Sequence, residues 1–323
     1  MVTWGILGAG SIAGALVHAI RAEGGTVRAV ASRSAERVAA FATEFEIEHG
    51  LVGYDTLLAD PEIDAVYVAT TNDLHHRNAL DAIAAGKAVL CEKPFALNLA
   101  QAEEIAAAAR AAGVFVMEAM WMRFIPAIEA LLAAVTDGAV GSVQSVHADF
   151  AFNAGAGPGH RLVEPSLGGG ALLDLGVYTI AFAHLVLGEP STVKAQARIG
   201  ASGVDEQVAT VLGFPDGSVA TGYASFVAAS PMEGRVVGTD GYVRVHAPFH
   251  NPDRFDVVGL DGATTINEVP HGDTGYRFEI AEVHRALRAG ETESPRRPLA
   301  DTLAIMKILD EVRRQIGVEY PGE

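Results

Sequence analysis

The chain has 323 residues, 50% of them hydrophobic, with 23 basic and 40 acidic side chains and a net charge of −17. That balance excludes an extended phosphate-binding surface for DNA or RNA, because no bulk positive field exists to release counterions. The single cysteine, Cys91, excludes a disulfide framework and a cysteine-based zinc site.

The pattern predicts a strand over 4–7, then a helix over 11–23 with apolar Ile12, Leu16, Val17 and Ile20 facing inward. A strand over 27–31, a helix over 35–45, a strand over 65–69, a helix over 74–85 and a strand over 88–91 follow. A helix over 98–112 and a strand over 114–117 complete the alternation. These strands are continuous apolar runs, as a parallel sheet covered on both faces demands. Repeated β–α units imply right-handed crossovers and a doubly wound α/β sheet. After about residue 119 longer strands are expected over 142–152, 192–198, 206–214, 217–227, 233–246 and 254–269. Tight connections are expected at Phe214-Pro215-Asp216-Gly217 and Thr239-Asp240-Gly241. That is an antiparallel sheet, with helices over 126–135, 171–187 and 277–287 expected on one face. A last helix over 301–316 carries Leu303, Met306, Ile308, Leu309 and Val312 on its apolar stripe, with Asp301 and Gly317 at its ends. The expected organisation is a Rossmann domain over 1–120 and a C-terminal α+β domain over 121–323 with a large, mostly antiparallel open sheet. The last helix is expected to pack back on the first domain. No apolar run reaches the roughly 18 residues that span a bilayer. The first residues lack a charged n-region and a long h-region, so a cytoplasmic protein without a membrane partner is expected.

Gly8-Ala9-Gly10-Ser11-Ile12-Ala13 matches G-x-G-x-x-G/A between the first strand and the first helix. There Gly8 permits the tight turn, Gly10 lets the backbone approach a pyrophosphate, and Ala13 keeps the helix close to the sheet. The helix N-terminus favours the anion. At the end of the second strand, where an NAD-selective site carries an acid for the ribose hydroxyls, the chain reads Ala31-Ser32-Arg33-Ser34. Arg33 can stack on adenine and pair with a 2′-phosphate, and Ser32 and Ser34 can donate hydrogen bonds, so NADP is favoured over NAD. Cys91-Glu92-Lys93-Pro94 follows the strand over 88–91. Carboxyl ends of parallel strands open onto the ligand crevice, which aims Lys93 at the nicotinamide position. Pro94 holds the Lys93 backbone extended.

In this order and spacing, Gly8–Ala13, Ala69-Thr70-Thr71-Asn72-Asp73-Leu74-His75, Ala85-Gly86-Lys87 and Glu92-Lys93-Pro94 resemble the Gfo/Idh/MocA family of oxidoreductases. The resemblance continues through Gly168-Gly169-Gly170-Ala171-Leu172-Leu173-Asp174-Leu175-Gly176-Val177-Tyr178 and covers nearly the whole chain. Residues 117–126 and 276–283 resemble a narrower branch of dihydrodiol dehydrogenases and NADP-linked D-xylose dehydrogenases. The resemblance implies cofactor contacts from Ser11, Ile12, Thr70, Thr71, Asn72, His75, Glu92 and Lys93, with Trp121 and Arg123 near the nicotinamide. Tyr178 stands where many relatives carry a catalytic His.

Oxidising an alcohol requires a hydride acceptor, a proton acceptor and a group that steadies the developing alkoxide. Tyr178 suits the second task if its phenol, ordinarily near ~10, is lowered by a neighbouring ammonium such as Lys93. Lys93 also polarises the substrate oxygen. Asp174, four residues earlier and one helical turn away, orients substrate hydroxyls. Asn153, His160 and Arg161, in a Gly-rich loop, are further substrate contacts. His75 and His76 do not share a helix face and belong to no carboxylate–His–His cluster, so no metal is expected. The expected activity is NADP-dependent hydride transfer at a C–OH of a sugar, cyclic polyol or trans-diol. The alternative is a non-catalytic NADP-binding regulatory protein of the same fold. One face of the antiparallel sheet is expected to pair with a second subunit in a homodimer or homotetramer.

Overall fold

In the computed structural model, which describes residues 1–272 and 274–323, short buried strands alternate with helices through the first third of the chain. They run β1 (Thr3–Leu7), α1 (Ser11–Ala22), β2 (Thr26–Ser32), α2 (Ala35–Glu44), β3 (His49–Val52), α3 (Asp55–Leu58) and β4 (Ala65–Val68). Then come α4 (Asn72–Ala84), β5 (Ala88–Glu92), α5 (Leu99–Ala112) and β6 (Val116–Ala119). The six strands form a parallel sheet in the order β3-β2-β1-β4-β5-β6. Its order reverses between β1 and β4, and ligands of such sheets bind outside the carboxyl ends at that switch point. Every residue of β4 and β5 is buried, which is why they read as unbroken apolar runs. The edge strand β3 and the single turn α3 have no such run: His49 to Val52 alternates half-buried and exposed, and escaped the pattern. Gly8 has φ +110°, and a Cβ there would stand 2.3 Å from the Ala69 carbonyl oxygen. Close packing of α1 rests on Gly14 as well as Ala13, since a Cβ on Gly14 would meet Phe45 Cζ at 2.5 Å.

The next segment forms α6 (Pro126–Thr136), β7 (Val143–Ala151), a π-helical turn over Leu172–Gly176, α7 (Val177–Leu187), β8 (Thr192–Ile199) and β9 (Asp205–Gly213). It continues with β10 (Val219–Ser225), β11 (Gly234–Gly238), β12 (Gly241–Val245), β13 (Arg254–Gly259) and β14 (Thr264–Glu268). The eight strands order as β14-β13-β12-β11-β7-β10-β9-β8, antiparallel except for the parallel pair β7–β10. The strand expected over 254–269 is a hairpin, because Leu260-Asp261-Gly262-Ala263, with Gly262 at φ +81°, reverses the chain. The helix expected over 171–187 begins as the π-turn instead of a regular α-helix. α6, α7 and the π-turn cover one face of the sheet. On the opposite face the register aligns Val219, Ser145, Val237, Tyr242, Val258 and Thr264 in one row across six strands. Among the described residues, Pro165–Leu187 is long and apolar enough for a span by length and composition alone. Its mean hydropathy reaches 1.7 over an 18-residue window, although Asp174 and Thr179 interrupt it, and 78% of that window is buried inside the protein.

The chain divides into two compact units, Met1–Trp121 with Tyr276–Leu303, and Met122–Gly275 with Ala304–Glu323. Residues 276–303 therefore group with the parallel sheet. Their helix α8 (Tyr276–Ala289) packs against α1, where Trp4 Nε1 donates to His284 Nε2 at 3.0 Å. That corrects the placement of this helix on the antiparallel sheet: its stripe of Ile280, Val283 and Ala286 announces a buried face but not the surface that buries it. The last helix, α9 (Leu299–Ile316), begins in the first unit, where Thr302 Oγ1 donates to Glu118 Oε2 at 2.9 Å. Arg297 pairs with the same carboxylate, both partners being 1% exposed. Later in α9, within the second unit, Gln315 receives the Ala195 amide at 2.9 Å and donates to the Val193 carbonyl at 2.8 Å.

Candidate active site

Leu7, Val68 and Cys91 are in register across β1, β4 and β5, so the glycine turn, Thr70–Asn72 and Lys93 all leave the sheet by one edge. Among the described residues other than Gly10 and its two chain neighbours, no atom lies within 4 Å of the point where a Gly10 side chain would begin, and α1 has no side-chain cap. Its first amides thus face open space, the arrangement that receives an anion. Thr71 Oγ1, at the start of α4, is buried with no hydrogen-bond partner among the described residues. Arg33 is exposed just past β2. Ser34 Oγ accepts from the Arg37 amide at 3.2 Å and Ser32 Oγ from the Ser34 amide at 3.3 Å. Both serines act there as acceptors, which leaves their hydroxyl protons for a ligand. The donor set fits a dinucleotide phosphate.

The Lys93–Pro94 peptide is cis. The Lys93 amide donates to Glu92 Oε2 at 3.1 Å, and Tyr67 Oη donates to Glu92 Oε1. His75, 1% exposed, lies 2.8 Å through Nδ1 from the Pro94 carbonyl and 3.1 Å through Nε2 from the Thr70 carbonyl. Burial lowers its pKa against the pull of the two carbonyls, and the neutral ring, with a single N–H, donates to one of them while packing between the two loops that border the cofactor edge. Asn78 Nδ2 reinforces this by donating to Thr70 Oγ1 at 3.0 Å. His76 pairs with Glu104 at 2.8 Å. Trp121 packs on Tyr276, ring centroids 4.4 Å apart.

Glu279 of α8 is fully buried, and neither of its oxygens has a hydrogen-bond partner among the described residues. Burial, then the charge of Glu92, pushes its carboxyl well above the usual range, so it is protonated. The phenols of Tyr67 and Tyr276 rise for the same two reasons. Sequence reasoning missed Tyr67 and Glu279. Tyr67 hides in an apolar strand. Glu279 left one signal, sharing the buried helical phase of Val283 and Ala286.

In the second unit Asp174 lies in the π-turn, 6% exposed, and accepts two hydrogen bonds from Arg161 at 2.9 and 3.2 Å. Two expected substrate contacts are thus brought together as a pair. Tyr178, at the start of α7, is 5% exposed and packs in an aromatic group, 5.4 Å from Phe150 and 5.3 Å from His250 between ring centroids. Phe150 and His250 stack at 4.2 Å. His250 sits in a loop after β12 and carried no pattern that would mark it. Asn153 and His160 are exposed and make local turns, Asn153 accepting the Gly155 amide at 3.1 Å and His160 the Leu162 amide at 3.3 Å. Arg123 approaches Glu129 at 3.5 Å.

A family model described as an oxidoreductase family with an NAD-binding Rossmann fold matches residues 2–120, and the GFO/IDH/MocA C-terminal domain matches 128–244. The trans-1,2-dihydrobenzene-1,2-diol dehydrogenase of Danio rerio is 38% identical over 328 residues, covering 98% of this chain and 97% of that one. Its Mus musculus counterpart is 36% identical, covering 99% and 98%. Among solved structures, KijD10, a 3-ketoreductase from Actinomadura kijaniata in complex with NADP and TDP-benzene, is 28% identical with a TM-score of 0.89 over 98% of both chains. Structures of that ketoreductase include a lysine-to-alanine and a tyrosine-to-phenylalanine mutant.

Proposed function

Since the chain belongs to the Gfo/Idh/MocA family and is an NAD(P)-dependent oxidoreductase, we propose that it transfers hydride between NADP and a secondary alcohol or hemiacetal carbon of a sugar, cyclic polyol or trans-diol. The observation that carries this reading is the sheet edge where the open backbone of Gly10 and the side chain of Lys93 leave β1 and β5, the two strands that flank β4. When bound, the nicotinamide supplies the hydride acceptor for oxidation and the donor for reduction. Gly8, Gly10 and Ser11 hold the pyrophosphate, and Arg33 with Ser32 and Ser34 holds the 2′-phosphate. Tyr178 takes the hydroxyl proton, and the Lys93 ammonium steadies the oxygen as negative charge develops on it. Asp174, braced by Arg161, accepts hydrogen bonds from substrate hydroxyls. NADP in the solved ketoreductase and diols in the names of the curated relatives support the choice of cofactor and substrate class. The exposed face of the eight-stranded sheet joins copies of the chain in a dimer or tetramer.

Nicotinamide absorbance, followed across sugars, polyols and diols, tests this reading. Tyr178→Phe should lower kcat by about 100-fold or more, the usual scale of a lost acid–base group, with the Kd for NADP unchanged. An unchanged kcat removes Tyr178 from the mechanism. Arg33→Asp should lower kcat/KM for NADP about tenfold or more relative to NAD, by loss of a charge-assisted phosphate contact. If the ratio of the two cofactors stays fixed, Arg33 does not read the 2′-phosphate.

A further inference from the structure

Asp205, the first residue of β9, is 0% exposed and lies against the glycine turn that leads into the π-turn. Its Oδ2 accepts the Leu172 amide at 2.6 Å, while Oδ1 has no hydrogen-bond partner among the described residues. Gly170, at φ +125°, leaves room for this carboxylate: a Cβ would stand 2.4 Å from Asp205 Oδ1. The C-terminal segment meets the same turn, where Tyr320 Oη donates to the Gly169 carbonyl at 2.5 Å. Tyr320 is itself fixed. Its ring lies under the Arg313 guanidinium, 4.5 Å from the centroid, and its amide donates to Glu323 Oε2 at 3.1 Å. Arg313 grips the Glu323 carboxylate at 2.6 and 2.5 Å. The Gly169 and Gly170 amides are tied to the Glu164 and Leu162 carbonyls at 3.1 and 2.9 Å, so the turn also anchors the segment just after Arg161.

We infer that Asp205 and Tyr320 are positioning residues, Tyr320 holding the turn 168–170 at Gly169 and Asp205 the Leu172 amide just after it, which together fix where the helical segment bearing Asp174 and Tyr178 begins. This rests on the roles proposed above for Asp174 and Tyr178. Ionised, Asp205 receives the Leu172 amide in a charge-assisted bond; protonated, it loses that advantage. Burial raises its carboxyl to about 7, against the Leu172 amide and Arg313, which pull the other way. The other titratable groups facing this corner are Tyr320 and Glu323 of the C-terminal segment. The clamp therefore tightens as pH rises through neutrality. The sign for global stability is opposite. A carboxyl raised above its unfolded value of about 3.9 costs stability progressively as pH climbs from there to about 7.

Tyr320→Phe and Asp205→Asn, each in the full chain, test the clamp by amide hydrogen exchange and by kinetics. In Tyr320→Phe, exchange over 171–178 should quicken about tenfold, the scale of one lost hydrogen bond to a buried carbonyl, while β1 and β4–β6 stay unchanged. The kcat should fall several-fold with the Kd for NADP unaltered. The parent should show a limb of kcat between about pH 6 and 8, and Asp205→Asn, which keeps an acceptor for Leu172 but does not titrate, should flatten it. Unaltered exchange in Tyr320→Phe overturns the clamp, as does an unaltered pH limb in Asp205→Asn. If the parent turns over no alcohol or ketone, exchange still decides the clamp and only the hydride-transfer reading fails. If Asp205→Asn does not fold, Tyr320→Phe decides alone.

Discussion

A protonated glutamic acid inside a folded unit ties stability to pH with a definite sign. The Glu279 carboxyl sits well above its ordinary value in the fold, so it costs nothing below about pH 4, where both states hold the proton. As pH rises, the unfolded chain gains by ionising and the folded one does not, so stability is lost until the folded pKa is passed. Glu279→Gln keeps the shape without the proton, and its Tm should exceed the parent's by a margin that widens from pH 5 to 8. A margin constant with pH would mean that Glu279 is already ionised in the fold. At this scale the sequence displayed chemistry but not partners. Lys93, Asp174 and Arg161 stood out as polar groups in a glycine-rich or strand-end context. Neither the Arg161–Asp174 pair nor the junction of Thr70 and Pro94 through His75 was legible, because each joins residues brought close only by loop geometry.

Helix α1 shows how far a pattern reaches. Its apolar phase was readable and so was the glycine turn before it, but the reason for Gly14 lay outside the helix, in the ring of Phe45. Gly14→Ala should destabilise by about 1–3 kcal/mol, the usual cost of overpacking, in urea unfolding. The double variant Gly14→Ala with Phe45→Leu should recover at least half of that loss; additive effects would show that the two positions do not touch. Strands buried on both faces were read correctly because burial leaves no choice of residue, whereas β3 and the turn between β13 and β14 were not. The π-turn at Leu172–Gly176 was also invisible, since one extra residue per turn leaves an apolar helix equally apolar.

Across the whole molecule, the register places Val219 and Tyr242, 42% and 38% exposed, in a single row on the uncovered face of the eight-stranded sheet. If copies pair through that face, Val219→Lys with Tyr242→Glu should shift the mass measured by light scattering to that of one chain. A mass that stays at two or four chains would place the interface elsewhere. The division into units has a different outcome. The nucleotide-binding half is encoded in two passages separated by residues 122–275. A ribosome translates its six strands early, yet Trp4 waits 280 codons for His284 and Glu118 waits 179 for Arg297. A buried carboxylate left without its guanidinium is worth about 3–5 kcal/mol against the fold. The half whose synthesis starts first thus cannot close until the chain has run through most of the other, and a fragment cut after Trp121 is not a free-standing cofactor module unless 276–303 is supplied with it.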